Sequence, residues 1–476
     1  MRRTFTIMTL GCKVNQQESE TLAVCFNRLG FEAAARGAAA DVCVINSCAV
    51  TASADSKTRQ RIRRARADNP DALICVIGCL PEMAQDLAAA MPEVDLAVGS
   101  LEKGRTAEFA LAAIEARAGE TKPSGCAESP SLRGAQRRGN PRMPGLQDVF
   151  MDCFASLAMT EAFPHSLPTS LPPSGVARTR AFLKAEDGCD RFCAYCVIPY
   201  ARGPVRSRPM DDILREAEAL LAAGYKELVV TGINLALYGQ DIAAPAPSAI
   251  SGRFAQDGLY ELARRLCALA AGDEYRVRLG SLEPTVADAR GAARLAALPG
   301  ICPHFHLSLQ SGAARTLEAM GRRYTPGAYE DIVRALRGID PLFGLTTDVI
   351  VGFPGETDED FAESLDFVKK IGFMRVHVFK YSKRPGTRAA GMGGQVSEDV
   401  KNARSRAMIE AAEAGAAHFL AENARQARRT LVYGPDKNRR FVRGLTDNGI
   451  NLRLPAHKAG AYRPNEFAEI AIPENL

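Results

Sequence analysis

The second half of the chain repeats one pattern, an apolar run of strand length followed by a stretch with helical character. From Arg178 onward the pattern occurs six times. Strands that alternate with helices are typical of a parallel sheet covered by helices. Six repeats predict an α/β fold with a partial (βα)6 TIM-like barrel, whose active site lies at the carboxyl ends of the strands. The predicted strands are Ala181–Asp187, Glu227–Thr231, Tyr275–Leu279, His304–Leu309, Thr346–Val351 and Arg375–Tyr381.

Three cysteines follow the first of these strands, where such a barrel places its active site. Cys189, Cys193 and Cys196 have the spacing C-x3-C-x2-C, and the aromatic Tyr195 precedes the last of them. A cubane iron–sulfur cluster has four irons, so three thiolates leave one iron open to a ligand that is not protein. The alternatives are a zinc knuckle or buried free thiols. A structural zinc site usually has a fourth Cys or His close by, and the sequence offers none nearby.

Residues 1 to about 120 also alternate strands with helices, which predicts an N-terminal parallel-sheet α/β domain. Each of three predicted strands runs directly into a cysteine, and the carboxyl ends of parallel strands meet at one edge of a sheet. We therefore expect these three thiols to converge; the alternative is that they fill space. The strands are Thr4–Leu10, Asp41–Asn46 and Ala72–Gly78, and the cysteines that follow them are Cys12, Cys48 and Cys79.

Three further cysteines of this region serve as internal controls. Cys43 and Cys75 lie inside apolar strands, and Cys25 lies inside a helical stretch. Free cysteine in such places behaves as a small hydrophobic residue. Position along the element therefore separates the candidate ligands from the packing residues.

Residues 123–175 interrupt the pattern. They contain eight of the 27 prolines and have no clear periodicity, which predicts a linker or inserted segment. Cys126 and Cys153 within it are poor ligand candidates. We expect deletion of 125–173 to leave cluster content and activity intact.

The C-terminal region begins with a predicted helix, Ser397 to Asn423, and continues with short β-like runs that predict a small β-barrel. Between Ala424 and Arg463 there are ten Lys or Arg residues and two Asp, with Tyr433, Phe441 and Tyr462 interleaved. Basic and aromatic side chains together are typical of RNA binding, through phosphate contact and base stacking. A second basic run, residues 57–66, carries six positive side chains; an RNA contact and a solvated helix both remain open there.

Composition sets broad limits. The chain has 476 residues, 46% hydrophobic and 24% charged, which fits two or three globular domains, and its net charge of +5 says little about partners. No apolar run approaches the ~20 residues that a membrane span needs, and the N-terminal run indicates a strand rather than a signal peptide. Thirteen cysteines, an odd number, favour a reducing cytoplasm over a disulfide framework.

The run Gly188-Cys-Asp-Arg-Phe-Cys-Ala-Tyr-Cys-Val197 resembles the signature of the radical S-adenosylmethionine (SAM) superfamily. The resemblance implies a [4Fe–4S] cluster at Cys189, Cys193 and Cys196, with SAM on its open iron. It also implies reductive cleavage of SAM to a radical that removes hydrogen from an unreactive C–H bond. The cofactor carries that chemistry and the protein positions the reacting carbon.

With the first cysteine triad added, the chain resembles the methylthiotransferase family over nearly its whole length, all but 123–175. The matching blocks are Thr9-Leu-Gly-Cys-Lys-Val-Asn-Gln16, Ile45-Asn-Ser-Cys-Ala-Val-Thr51, Val76-Ile-Gly-Cys79, Cys196-Val-Ile-Pro-Tyr-Ala-Arg-Gly203 and Arg206-Ser-Arg208. The resemblance implies a second, auxiliary [4Fe–4S] cluster at Cys12, Cys48 and Cys79. It also implies a small C-terminal TRAM-like RNA-binding barrel and a tRNA anticodon stem-loop as partner.

Within that family the chain looks most like the branch that acts on threonylcarbamoyladenosine next to the anticodon, because of Gly11-Cys-Lys-Val-Asn-Gln16, Leu307-Ser-Leu-Gln-Ser-Gly312 and Val378-Phe-Lys-Tyr-Ser-Lys383. The isopentenyladenosine branch tends to have Gln-Met, and the ribosomal-protein branch Pro-Lys, where this chain has Lys13-Val14. The implied reaction is 2-methylthiolation at C2 of the base, with one SAM for the radical and another for the methyl group.

Other residues of the core are expected to contact SAM. Tyr195 lies in the cysteine loop, and Thr231, Gly232 and Asn234 end the second strand. Gln310 follows the fourth strand and Asp348 lies within the fifth, where both are expected to line the cavity. Gly352, after the fifth strand, is expected to let the backbone approach adenine. The alternatives are an ordinary glycine turn and polar residues that close the barrel.

Three classes of function fit these patterns: a tRNA-modifying radical SAM enzyme, the same chemistry on a protein side chain, and a non-catalytic iron–sulfur RNA-binding sensor. The basic C-terminal region argues against a protein substrate, and the six-strand core argues against a non-catalytic sensor. A flavodoxin- or ferredoxin-like electron donor is expected as a further partner. The expected domains are 1–120, 121–176 (linker), 177–405 (radical SAM core) and 406–476 (helix and β-barrel).

Overall fold

The computed structural model describes residues 2–35, 37–48, 51–84, 87–119, 179–242, 254–269, 274–284, 288–436, 438, 440–455 and 462–474. The chain divides into two compact units, residues 1–170 and 171–476. The Pro-rich segment 123–175, with Cys126 and Cys153, lies outside the described residues.

The first unit is a five-stranded parallel sheet flanked by helices. Its strands lie in the order β2-β1-β3-β4-β5. Every residue of the central strands β3 and β4 is buried, which explains their continuous apolar sequences. The strands are β1 Thr4–Thr9, β2 Glu32–Ala33, β3 Val42–Ser47, β4 Leu73–Gly78 and β5 Leu96–Val98, and the helices are α1 Lys13–Arg28, α2 Ala52–Asp68, α3 Cys79–Met83, α4 Leu87–Ala90 and α5 Thr106–Gly119.

The second unit contains the six predicted strands, parallel and in chain order. Three of them form the sheet β6-β9-β10. The other three, together with the short additional strand β11, form the sheet β11-β12-β13-β14, and a parallel bridge links Val277 to Ile301, just before β12. The mixed α/β fold with parallel sheets is confirmed; closure into a barrel stays a prediction. The strands are β6 Arg180–Lys184, β7 Glu186–Asp187, β8 Arg206–Ser207, β9 Glu227–Thr231, β10 Arg276–Leu279, β11 Ser281–Leu282, β12 His304–Leu307, β13 Gly344–Val351 and β14 Arg375–Lys380.

The first predicted strand of this unit is divided in the structure. Arg180–Lys184 pairs in parallel with β9, whereas Glu186–Asp187 pairs antiparallel with β8. The chain changes partner at Ala185, whose backbone N–H donates to the carbonyl of Thr231 and whose carbonyl accepts from Arg208. This change of direction carries the chain into the cysteine loop.

Helices cover the parallel strands. The helix Asp358–Ile371 shows why they begin where they do: the Thr357 hydroxyl accepts from the backbone of Asp360, and the Asp360 carboxylate accepts from the backbone of Thr357, a capping box. Within the described part of the chain, no helix combines the length and apolar character needed to cross a membrane. The helices are α6 Ile198–Arg202, α7 Met210–Ala222, α8 Phe254–Cys267, α9 Ala289–Ala296, α10 Ala314–Met320, α11 Pro326–Ile339, α12 Asp358–Ile371 and α13 Glu398–Asn423.

The C-terminal region forms a small antiparallel sheet where the sequence has short β-like runs; closure of this sheet into the expected β-barrel stays a prediction. Its strand order is β17-β16-β15-β18. Alternate side chains, such as Val442, Leu452 and Ile470, are buried against Phe419 of α13. The strands are β15 Ala427–Pro435, β16 Phe441–Thr446, β17 Asn451–Pro455 and β18 Phe467–Ala471.

This C-terminal sheet is fastened to the amino ends of the parallel strands. Arg276 at the start of β10 donates to the carbonyl of Leu445 at 2.8 Å, and Arg278 donates to the carbonyl of Asp447 at 3.0 Å. In the turn after β16, Asn448 donates to the carbonyl of Leu342 at 3.0 Å. Because the strands are parallel, this attachment lies at the opposite end from the loop that carries Cys189, Cys193 and Cys196.

Candidate functional site

In the first unit, three cysteines directly follow three neighbouring strands. Cys12 occupies the N-cap position of α1 after β1, Cys48 follows β3, and Cys79 is the first residue of α3 after β4. Gly11 has φ +105°, and a Cβ there would lie 2.7 Å from the Cβ and 3.1 Å from the Sγ of Cys48. The missing side chain at Gly11 therefore lets the Cys12 and Cys48 segments approach.

Polar side chains hold these strand ends together. The buried Asn15 donates to the carbonyls of Leu10, at 2.7 Å, and Ser47, at 2.9 Å, and so ties β1 to β3. The Ser47 hydroxyl donates to the carbonyl of Ile77 at 2.6 Å and accepts from the backbone of Leu80 at 3.1 Å, which ties β3 to β4. The sequence contains Asn15 and Ser47 within its motifs, but their positioning role becomes visible only in the structure.

The control cysteines behave as packing residues. Cys43 and Cys75 are fully buried in the central strands, and burial raises the pKa of both thiols, that of Cys43 to about 11. Cys25 is half-buried against the same core and has a pKa raised by burial. These three thiols pack within the core, whereas Cys12, Cys48 and Cys79 lie beyond the ends of the strands.

The second triad lies on a loop that is anchored at several points. Gly188 has φ +85°, and a Cβ there would lie 1.9 Å from the carbonyl oxygen of Pro204, so glycine is required before Cys189. The backbone of Ala194, in the middle of the loop, donates to Met320 and accepts from Ala389, each at 2.8 Å. These bonds fix the loop to α10 and to the segment after β14.

The environment of the three thiols fits the expected cluster. Burial raises the pKa of Cys189 to about 11 and that of Cys196 to about 12, with Cys193 close enough to raise both further. Such thiols ionise at neutral pH only when a metal or cation compensates the charge. No three His, Cys, Asp or Glu side chains among the described residues converge on a single ion. In a cubane cluster each cysteine binds a different iron, so the three cysteine sulfurs must lie farther apart than three ligands of a single ion.

A buried carboxylate beside the loop was missed by the sequence reasoning. Glu283, after β11, forms an ion pair with Arg191 of the cysteine loop at 2.6 Å and another with Arg322 at 3.3 Å. It also accepts from the side chain of Asn234 at 3.0 Å. Burial opposes ionisation of Glu283, but the two arginines outweigh it and hold its pKa below the usual range. The Glu in Ser281-Leu-Glu-Pro284, at a strand end, was the available signal.

Thr231, Gly232 and Asn234 lie together at the end of β9, next to a second buried carboxylate. The Glu186 side chain accepts from the backbone of Asn234 and lies where a Cβ of Gly232 would be, 2.3 Å from it. Burial raises the pKa of Glu186 to about 8, and its Oε2 has no hydrogen-bond partner among the described residues. Glu186 thus presents a buried carboxyl oxygen with no partner among the described residues, near the cysteine loop.

Gln310 and Asp348 lie together on neighbouring chain segments. Gln310 has a left-handed backbone, φ 67°, and its N–H donates to the carbonyl of Asp348 at 2.8 Å. A non-glycine residue in this conformation is uncommon and is typical of functional or strained positions. The Asp348 carboxylate lies 3.2 Å from Nε2 of His306 on the neighbouring strand β12.

The space beside Gly352, expected to admit a ligand, is occupied by a lysine side chain. Its backbone N–H donates to Glu356 at 2.8 Å, and a Cβ at Gly352 would lie 2.4 Å from Cγ of Lys401 in α13. The room left by the absent side chain is therefore taken by Lys401. Close approach of adenine at Gly352 remains a prediction.

The C-terminal sheet presents a basic outer face. Arg443 and Arg453 are exposed and lie directly opposite each other on β16 and β17, and the exposed Phe441 precedes them on the same face. Like charges opposite each other destabilise a sheet, so the pair favours an anionic partner. Tyr433, which the sequence groups with these residues, is half-buried, and Arg180 lies over its ring, 5.4 Å from the centroid; a stacking role for Tyr433 stays a prediction.

The basic run 57–66 lies on α2 and is largely paired with acidic side chains. Arg59 pairs with Asp55 at 2.8 Å, Arg64 with Asp68 at 3.4 Å, and Arg66 with Asp95. This pairing favours the solvated-helix interpretation of the run.

Comparison with known families identifies two regions. Residues 4–99 match the Uncharacterized protein family UPF0004, and residues 186–368 match the Radical SAM superfamily. The first match contains Cys12, Cys48 and Cys79, and the second contains Cys189, Cys193 and Cys196. The superfamily implies a [4Fe–4S] cluster and SAM.

Among solved structures, the chain resembles the radical S-adenosylmethionine methyltransferase TsrM from Kitasatospora setae. The TM-score is 0.55 at 17% identity, over 82% of this chain and 77% of that one. At this identity the likeness shows the fold alone.

Curated relatives extend over nearly the whole chain. The threonylcarbamoyladenosine tRNA methylthiotransferase MtaB of Bacillus subtilis is 34% identical over 94% of this chain and 90% of its own length. The MtaB of Thermotoga maritima is 35% identical over 86% and 82%. The tRNA-2-methylthio-N(6)-dimethylallyladenosine synthase of Pelotomaculum thermopropionicum is 31% identical over 92% and 89%. The chain belongs to the radical SAM methylthiotransferase family.

Proposed function

We propose that this protein is a tRNA methylthiotransferase that adds a 2-methylthio group at C2 of N6-threonylcarbamoyladenosine next to the anticodon. The observation that carries the proposal is the full-length similarity to relatives named for that substrate, 34% over 94% of the chain for the first of them. Lys13-Val14 beside Cys12 supports the same branch, because the isopentenyladenosine branch tends to have Gln-Met there.

The six strand-end and loop cysteines are the proposed cluster ligands. Cys189, Cys193 and Cys196 hold the SAM-binding [4Fe–4S] cluster, and Cys12, Cys48 and Cys79 hold an auxiliary [4Fe–4S] cluster. The mutual proximity of the second triad and the adjacent strand ends of the first support this assignment. When bound, the clusters and SAM supply the one-electron chemistry at C2 and the methyl group.

The remaining site residues bind and orient. Asn234 and Thr231, with the backbone at Gly232, form a polar strand end beside the cysteine loop, where we place the amino acid part of SAM. Tyr195, Gln310, Asp348 and Gly352 are proposed to complete the SAM site. Support comes from Gln310 and Gly352, which follow the carboxyl ends of parallel strands, where sites in such folds gather, and from the contact of Asp348 in β13 with Gln310.

The proposed domains are the auxiliary-cluster domain, residues 1–120, the linker, 121–176, and the radical SAM domain, 177–405. The C-terminal region, 406–476, is proposed to bind the sugar–phosphate backbone of the tRNA. The exposed pair Arg443 and Arg453 supports an RNA contact, since guanidinium groups bind phosphates and Phe441 offers a stacking surface. A flavodoxin- or ferredoxin-like protein is the proposed electron donor, and the proposed location is the cytoplasm.

Mass spectrometry of tRNA nucleosides tests this function. In a strain that lacks the gene, 2-methylthio-threonylcarbamoyladenosine should disappear and its precursor accumulate, and the wild-type gene should restore it. A gene with Cys189→Ala should not restore it, whereas one with the control change Cys43→Ala should. Loss of the isopentenyl form instead would assign the other tRNA branch, and no change in either nucleoside would overturn the tRNA substrate.

A further inference from the structure

A single arginine from a distant part of the chain lies against the cysteine loop. Arg322 follows α10 and the left-handed Gly321. Its Nη1 lies 3.3 Å from Sγ of Cys193, as a hydrogen-bond donor, although the two residues are 129 positions apart. The side chain of Arg322 is only 6% exposed. A buried guanidinium beside a candidate cluster ligand therefore requires an explanation.

The rest of the guanidinium is held in a fixed orientation. Nε donates to the hydroxyl of Tyr324 at 3.0 Å, and Nη2 donates to the carbonyl of Ser308 at 3.2 Å. Nη1 also lies 3.3 Å from the carboxylate of Glu283. The planar fork of arginine makes such contacts without rearrangement. Arg322 is therefore oriented toward the Cys193 sulfur by three groups, on Tyr324, Ser308 and Glu283, that lie outside the cysteine loop.

Charged side chains line the surroundings of Cys193. Glu283 pairs with both Arg322 and Arg191 of the cysteine loop. A buried cation is stabilised by negative charge close to it. A cluster held by three thiolates would place negative charge at Cys193, within hydrogen-bond distance of the Arg322 guanidinium.

The potential of an iron–sulfur cluster depends on the net charge near it and on hydrogen bonds to its sulfurs. Reduction adds one negative charge, so a donor and cation at a ligand sulfur favour the reduced state, whereas a nearby carboxylate opposes it. We infer that Arg322 is a positioning residue that raises the reduction potential of the SAM-binding cluster through Cys193, and that Glu283 limits this effect. The inference rests on the cluster assignment proposed above.

Redox titration of the reconstituted full chain, followed by electron paramagnetic resonance, tests this inference. The parent carries Cys12→Ala, Cys48→Ala and Cys79→Ala, so that one cluster titrates. Arg322→Gln should lower the equilibrium constant for reduction at least about tenfold, or about 59 mV for one electron. Glu283→Gln should shift it in the opposite direction. Arg322→Lys, which keeps the charge but not the fork, should give an intermediate value.

The controls separate this inference from the proposed function. Arg428→Gln removes a partly buried arginine of the C-terminal sheet, which pairs with Asp340 at the end of α11, and should leave the potential unchanged. If the parent binds no iron and sulfide, the cluster assignment itself is wrong. If it binds a cluster and neither Arg322→Gln nor Glu283→Gln shifts the potential, or both shift it the same way, the inference is overturned. If Arg322→Gln does not fold, the Glu283→Gln variant tests the inference alone: a raised reduction potential supports it, and a lowered or unchanged potential overturns it.

Discussion

Glu227, the first residue of β9, and Arg278 of the neighbouring strand β10 form a fully buried ion pair, with Nε of Arg278 2.9 Å from the carboxylate. Arg276 approaches the same carboxylate at 2.6 Å. Both arginines also donate to backbone carbonyls of the C-terminal sheet. Through these three charged residues, the amino ends of the parallel strands are hydrogen-bonded to the proposed RNA-binding region.

Arg278→Ala should destabilise the protein by about 3–5 kcal/mol, because it leaves the buried Glu227 carboxylate with one arginine fewer and frees two carbonyls. Urea unfolding measures the change. The exposed control Arg264→Gln should stay within about 0.5 kcal/mol of wild type. An equally small change for Arg278→Ala would mean that the ion pair does not fasten the C-terminal sheet.

The same pair predicts a pH dependence. Burial opposes ionisation of Glu227, but Arg278 and Arg276 outweigh it and hold its pKa below the usual range. On acidification the unfolded chain takes up a proton first, so the contribution of Glu227 to stability is present above about pH 4.5 and is lost as pH falls toward its folded pKa. Unfolding between about pH 5 and 3 should therefore depend less steeply on pH in Glu227→Gln than in wild type, by up to about 1.4 kcal/mol per unit. Equal slopes would contradict the lowered pKa.

Iron and sulfide analysis should separate ligand cysteines from packing cysteines. Replacing Cys12, Cys48 and Cys79 together by Ala should remove about half of the bound iron, because one of two clusters is lost. Cys25→Ala and Cys43→Ala lie in the same unit but away from the strand ends, and each should keep the full content. Undiminished iron in the triple variant would leave the first triad without a cluster.

The outer face of the C-terminal sheet should contribute to tRNA affinity. Arg443→Gln and Arg453→Gln should each weaken binding and lower the salt dependence, by about one released counterion per arginine. Arg264→Gln, which removes an exposed arginine from α8, serves as the matched control for net charge. If the tRNA affinity and its salt dependence are the same in all three variants, the RNA contact lies elsewhere.

Much of the site was predictable because its signals are local. A cysteine directly after an apolar strand is visible in the sequence, and parallel pairing then puts neighbouring strand ends at one edge. The same reasoning predicts Cys43 and Cys75 to be packing residues, and both are buried inside strands. Composition alone does not tell that the ring of Tyr433 packs against Arg180.

Glu283, Arg191 and Arg322 could not be predicted as a group. Arg191 and Glu283 are 92 positions apart, and Arg322 and Cys193 are 129 apart. Charged residues are common, and no period or spacing marks which of them become buried. Their meeting depends on how β11, α10 and the cysteine loop pack.

The sequence by itself determined the order of strands and helices, the spacing of both cysteine triads and the family they belong to, because periodicity, chain breakers and motif spacing act over a few residues. Only the tertiary structure decided that Arg322 is buried against Cys193, that Lys401 occupies the space beside Gly352, and that Arg276 and Arg278 fasten the C-terminal sheet. The physical reason is that burial and pairing of charge are set by contacts between elements far apart in the chain, which no local pattern records.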